Sequence, residues 1–281
     1  MKTLLPSGEV AYSTIGMAFD YRLRYYFRAT PINSLVAWQG AEKVVKSMHY
    51  SQDWVAGLFK DLSTIIDHIK PTNRRLGQKH EERLARLCYI LACFEQEYRA
   101  GPFFDSPLAL IPRDATTENV LQSVPDAAAK DLVRLSHLAY RRWKQRLGGP
   151  TFMNPTFAGS DVIGGADADL IADHCLWEVK TTVDPRICRF WLYQLIGYVL
   201  LDFLDRYKLH EVGIYFSRQG EFLRWPIKEL MAHLSIPGTK RINLRALRRD
   251  FEDVCIESSP LFTGGLAAAG PYLRPFSPSR R

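Results

Sequence analysis

Cysteine is scarce in this 281-residue chain: five residues, at positions 88, 93, 175, 188 and 255, with no C-x-x-C pair among them. That spacing excludes a zinc knuckle and a dithiol redox motif. Odd in number and scattered, the five read as reduced and mostly buried thiols of a cytoplasmic protein. Long apolar runs are missing too. The most apolar stretch, Phe190 to Leu204, is interrupted by Gln194 and Asp202 and is too short to span a bilayer. MKTLLPSGEV meets Pro6 before it could form the apolar core of a signal peptide. A soluble chain with no membrane partner is therefore expected. Nucleotide-cradling and hydrolase signatures are also absent: there is no Walker loop, no G-x-G-x-x-G and no G-x-S-x-G elbow. His80, Glu81 and Glu82 lack the second histidine that a zinc-protease helix requires.

What is present is ordinary in bulk and basic in balance. Hydrophobic residues make up 47% and charged residues 24%, enough to bury a substantial core without a covalent staple. The formal charge of +7 favours a polyanionic partner, nucleic acid among them.

Two characters divide the chain. Residues 1–150 carry helical periodicity, with helices expected over Gly16 to Phe27, Ala41 to Met48, Ser51 to Ile69, Gln78 to Arg99 and Ala127 to Leu147. They read as a helical N-terminal lobe. From about Thr156 the pattern turns to short strands, expected over Asp161 to Ile163, Ala168 to Ala172, Leu176 to Thr181, Glu211 to Ser217 and Phe222 to Trp225. A helix over Pro185 to Tyr207 separates the third from the fourth, and shorter helices follow in PIKELMAHL and over Arg245 to Ile256. The fold class is α/β, with a central sheet in a core spanning 151–262. Residues 263–281, rich in Gly, Pro and Ser, read as a surface-wrapped tail.

Within that core, GGADADLIADHCLWEVKTT sets acids and a lysine at alternating positions. Side chains two apart on a strand share a face, so Asp167 pairs with Asp169 and Glu178 with Lys180. A hairpin turn in ADHC would bring the two pairs together. Carboxylates are the hard ligands that magnesium prefers, and an adjacent ammonium adds a point charge suited to a phosphoryl centre. The backbone carbonyl of Val179 is a further candidate ligand. For Glu178 and Lys180 the ordinary alternative is an exposed ion pair worth about 0–1 kcal/mol, and for Asp167 and Asp169 it is a turn or edge position near Gly164 and Gly165. The apolar flanks Leu176, Trp177 and Val179 weigh against the ion pair.

An acid on one strand followed by Glu178-Val179-Lys180 on the next resembles the PD-(D/E)XK nuclease superfamily. Gln194 and Tyr198, four apart on one helix face, are similar to the Q-x-x-x-Y motif of its RecB-like branch. Gly16 in STIGMAFDYRLRYYF fits that branch's N-terminal G-x-x-x-H helix, but Asp20 stands where the histidine would be. Glu95 and Glu97 are other helical acids available for that place. The resemblance implies a restriction-endonuclease-like core, a mixed sheet flanked by helices, that hydrolyses nucleic-acid phosphodiesters, DNA foremost, with Mg2+ or Mn2+ in defence, restriction or repair. Asp169 and Glu178, with Val179 and Asp167, would hold the metal. Lys180 would position water, while Gln194 and Tyr198 would orient the site. A partner protein would supply unwinding or target recognition, there being no helicase motif.

Two rival readings use the same fold: an inactive scaffold that binds DNA or protein, and an iron–sulfur nuclease, which would need four clustered cysteines. Two basic clusters complete the inventory. Arg141, Arg142, Lys144 and Arg146 surround Trp143, and KRINLRALRR follows at 240–249. Each is a candidate to track a phosphate backbone, with Trp143 available to stack on a base.

Overall fold

The computed structural model describes residues 12–27, 31–48, 52–69, 76–100, 108, 111–112, 114–144, 146, 149–235 and 242–259. Among them six helices precede the sheet: α1 (Tyr12–Phe27), α2 (Val36–Met48), α3 (Gln52–Asp67), α4 (Gln78–Ala100), α5 (Thr117–Ser123) and α6 (Asp126–Trp143). The strands are β1 (Thr151–Met153), β2 (Leu170–Ala172), β3 (Cys175–Lys180), β4 (Glu211–Phe216) and β5 (Glu221–Pro226). Helix α7 (Arg189–Leu201) joins β3 to β4, and α8 (Ile227–Leu234) and α9 (Leu244–Ser258) follow. The architecture is α/β, as expected. No helix of the described residues is long and apolar enough to cross a membrane.

Local chemistry explains several boundaries. Thr116 and Asn119 form a reciprocal capping box that starts α5, satisfying backbone N–H groups that have no partner within the helix. Asn243 does the same for α9 by accepting from the N–H groups of Arg245 and Ala246. Asp173 and His174 both take left-handed φ, 51° and 59°, the geometry of a tight two-residue hairpin, and Ala172 then pairs with Cys175. The hairpin expected in ADHC is therefore present. The α7 helix is shorter than the expected span of 185–207. Its chain turns at buried Asp202, whose carboxylate accepts from the N–H groups of Arg206 and Tyr207.

The sheet runs in the order β1-β2-β3-β4-β5 and is mixed. Pairing is antiparallel except between β3 and β4, where α7 supplies the crossover that a parallel pair needs. Alternation then splits the sheet between two cores. Leu170, Ala172, Cys175, Trp177 and Tyr215 face the α1–α6 helices. Ile171, Leu176, Val212, Ile214 and Phe216 face α7, α8 and α9. Gly213 is a packing requirement: a side chain there would run into the Trp177 ring across the strand pair. Gly40 lets α2 lie directly on the Phe94 backbone of α4.

Two expected elements differ. Asp161–Ile163 is a single 3-10 turn rather than a strand, closed by Gly164 at φ 83° and Gly165 at φ 111°. The first strand lies earlier instead, at Thr151–Met153, three residues that carry no alternation long enough to read.

Candidate active site

Asp169 immediately precedes β2, and the β2–β3 register of Leu170 with Trp177 sets it across from Glu178. By alternation Asp169 shares a face with Ile171, and Glu178 and Lys180 share one with Leu176, so all three point toward the α7 side. The Asp169 carboxylate also accepts from the Val179 N–H at 2.6 Å, which ties the two strand ends together. Lys180 Nζ donates to Glu178 Oε1 at 2.6 Å and to Gln194 Oε1 at 3.4 Å. Gln194 Nε2 in turn donates to the Tyr198 hydroxyl at 3.1 Å. Glu178, Lys180, Gln194 and Tyr198 are therefore one hydrogen-bonded chain of side chains, with Asp169 tied to the backbone between Glu178 and Lys180.

Two positions brace it, Phe157 in the segment between β1 and β2 and Trp191 on α7. Tyr198 stacks on Phe157 with ring centroids 5.7 Å apart. The Lys180 ammonium lies over the Trp191 ring, 5.2 Å from its centroid, a cation–π contact that the sequence pattern did not single out.

Electrostatics distinguish this group from an ordinary ion pair. Burial raises Glu178 above its usual 4.5; Lys180 opposes the shift, and Asp20 and Asp167 add to it. Asp169 is raised well above 3.8, first by desolvation, then by repulsion from Glu178 and Asp20, against the Val179 N–H and Lys180. Glu178 Oε2 is buried without a hydrogen-bond partner. One lysine thus faces more carboxylate charge than it neutralises.

The helical acid nearest this group in its effect is Asp20 on α1. Its Oδ2 pairs with Arg24 at 2.6 Å, while Oδ1 is buried without a partner. A side chain at Gly16, one turn earlier, would meet Thr181 at 3.8 Å, so this part of α1 lies beside the end of β3. The sequence signal was the Gly16-x-x-x-Asp20 spacing itself. Glu95 is occupied by the Tyr21 hydroxyl and by Arg99, and Glu97 is buried on α4. Asp167 is exposed, bridges to Thr156, and lies in the field of Arg99 and Arg24, which oppose its desolvation.

The fit to a divalent ion is specific in kind. Among the described residues no three His, Cys, Asp or Glu side chains form a metal-holding group. An all-protein cage is therefore not built here. Two crowded carboxylates, one with an unpartnered buried oxygen, match the one or two protein ligands that magnesium takes when water and phosphate complete its shell. Cys88, Cys93, Cys175 and Cys255 are buried and unpaired and Cys188 is exposed, with no cluster for iron and sulfur.

In the basic segment at 140–146 the expectation for Trp143 requires a correction. Trp143 is fully buried, edge-on to Phe27, Trp177, Tyr215 and Phe222, and is not available to a base. All four cations are exposed; Arg142 also donates to the Gly220 carbonyl and Arg146 lies over Phe222 at 4.3 Å. Trp143 packs on the sheet face opposite Glu178 and Lys180. In the second cluster residues 240–241 lie outside the described residues, and Arg248 is buried against the Val199 carbonyl and Asp205. Compared with protein-family models, curated proteins and solved structures, the chain matches none.

Proposed function

We propose that this site is a metal-dependent phosphodiester hydrolase acting on nucleic acid, DNA foremost, within a restriction-endonuclease-like core. The observation that carries the reading is the excess of carboxylate over cation where Asp169 and Glu178 meet, both raised, with Glu178 Oε2 unpartnered. Desolvated, mutually repelling carboxyls gain from a cation between them when ionised. Asp169, Glu178 and the Val179 carbonyl would hold Mg2+ or Mn2+, with Asp167 at the exposed rim. A bound divalent ion supplies charge neutralisation at the phosphate and lowers the pKa of water.

This chain's own residues supply the rest. Lys180 is held by Glu178 and Gln194, so its ammonium is positioned to orient an attacking water or to offset charge developing on phosphate oxygen. Gln194 passes that constraint to Tyr198 and keeps Lys180 turned toward the carboxylates. Trp191 covers the lysine on one side and limits access of bulk water.

The test is a cleavage panel of linear, circular and single-stranded substrates in magnesium and in chelator, run on the wild type, Glu178→Ala and Lys180→Ala. The expected result is metal-dependent cleavage that falls about a thousandfold or more in each variant. Magnesium should also raise the wild-type Tm and leave that of Glu178→Ala unmoved. Cleavage that persists unchanged in both variants would place the chemistry elsewhere.

A further inference from the structure

Helix α7 carries two of the site residues on one side and leaves another side uncovered. Phe190 is 70% exposed and Tyr193 55%, with Ile187 in the preceding loop at 42%. Phe190, Tyr193 and Gly197 follow the i, i+3, i+7 spacing of a single helix face. A side chain at Gly197 would meet nothing within 4 Å, so the face stays open along its length. Cations border it: Arg189 is exposed, and Arg186, paired with Asp184 at 2.6 Å, is exposed as well. Gln194 is four residues from Phe190 and reaches Lys180, so this face leads into the proposed site.

We infer that the Phe190–Tyr193 face of α7 is a stacking platform for unpaired nucleotides, delivering a single strand to Glu178 and Lys180. The inference rests on the hydrolase reading for where the strand is cut. The chemistry narrows the occupant. A duplex presents phosphates and groove edges and keeps its base faces stacked inside, so exposed rings gain little from it. A single strand offers both things this surface offers to receive, a π-face for each ring and a phosphate for Arg189. Exposed rings following directly on an exposed arginine are complementary to that polymer, and the chain's +7 charge has the matching sign.

Fluorescence anisotropy in chelator, using labelled 15-nucleotide oligodeoxythymidylate, oligouridylate and a blunt DNA duplex, tests this on the full chain. In the doubly substituted Phe190→Ala/Tyr193→Ala, affinity for one or both single strands should fall about 5-fold per ring, about 25-fold together, with duplex affinity little changed. Both side chains are largely exposed, so the variant should keep the wild-type circular dichroism and Tm. Equal losses on strand and duplex, or no loss on either strand, would overturn the platform. So would a change in sedimentation mass with strand affinity intact, which would mark the face as an interface between copies. Chelator keeps the two readings separable. Ring-dependent strand binding by a wild type that cuts nothing would sink the hydrolase and leave the platform. Cutting by a wild type whose strand affinity ignores both rings would do the reverse.

Discussion

Arg22 and Glu81 in the helical lobe are as deeply buried as Glu178 at the sheet, but their charges are settled in the opposite way. Arg22 grips Glu81 through two parallel hydrogen bonds, Nε to Oε1 at 2.7 Å and Nη2 to Oε2 at 2.9 Å. Desolvation alone would raise Glu81; Arg22, with Ser136 and His137, outweighs it and the carboxyl is lowered. Arg218 and Asp131 form a second buried ion pair where α6 meets the β4–β5 turn, Nη1 donating to Oδ1 at 3.0 Å, with side chains only 2% and 1% exposed. In these pairs each acid has its own arginine. At the site Asp169, Glu178 and Asp20 bear on one another, and Lys180 is shared. In those two pairs the fold gives each buried acid a cation of its own; where Asp169 and Glu178 meet it does not, and that difference is what the proposed site rests on.

The largest effect expected from this contrast is on the lobe side. Arg22→Ala leaves Glu81 buried without its partner and should cost about 3–5 kcal/mol in urea unfolding. Replacing both partners, Arg22→Met with Glu81→Leu, removes the stranded charge and should recover most of that loss. A small effect of Arg22→Ala would mean that the lobe pair is no better settled than the site, and the comparison would fail.

The same division runs through the segment at 140–146, and there it shows how far sequence reasoning reaches. Its four cations and one tryptophan look alike as a charge pattern, yet Trp143 is core and Arg141 is surface. Helical periodicity cannot reveal that Trp143 meets Trp177, Tyr215 and Phe222, because those partners lie on strands far along the chain. By contrast, Asp169, Glu178 and Lys180 were legible, since strand alternation and a two-residue turn are local and fix which side chains share a face. Gln194 and Tyr198 were legible for the same reason, from helix spacing. Asp20 was seen as a departure from a motif, but its nearness to β3 depends on how α1 packs, which no local rule supplies. The short β1 and the 3-10 turn at Asp161–Ile163 escaped because three residues carry no readable period. Trp143→Ala should therefore cost about 3–5 kcal/mol, with Arg141→Ala within about 0.5 kcal/mol of wild type by the same unfolding measurement. Equal, small effects would return Trp143 to the surface.

Glu178→Gln gives a smaller change than Trp143→Ala and the sharpest one, because its sign is opposite to that of the lobe variant. A carboxyl raised in the folded state contributes its stability below its unfolded value, 4.5 for glutamate, and loses it as pH rises through the higher folded value. Glu178 is raised even with Lys180 at 2.6 Å, so its ionised form is a net cost to the fold at neutral pH. Glu81, lowered, behaves conversely: its contribution is present above 4.5 and is lost as pH falls through its folded value. In chelator, Glu178→Gln should be more stable than wild type at pH 8 by about 0.5–2 kcal/mol, with the gap closing by about pH 4, where the wild-type carboxyl is itself neutral. Glu81→Gln should run the other way, destabilised at pH 8 and approaching wild type in acid. A Glu178→Gln variant less stable than wild type at pH 8 would mean that the Lys180 pair outweighs the crowding. The carboxylates of the site would then be structural charges of the same kind as those in the lobe.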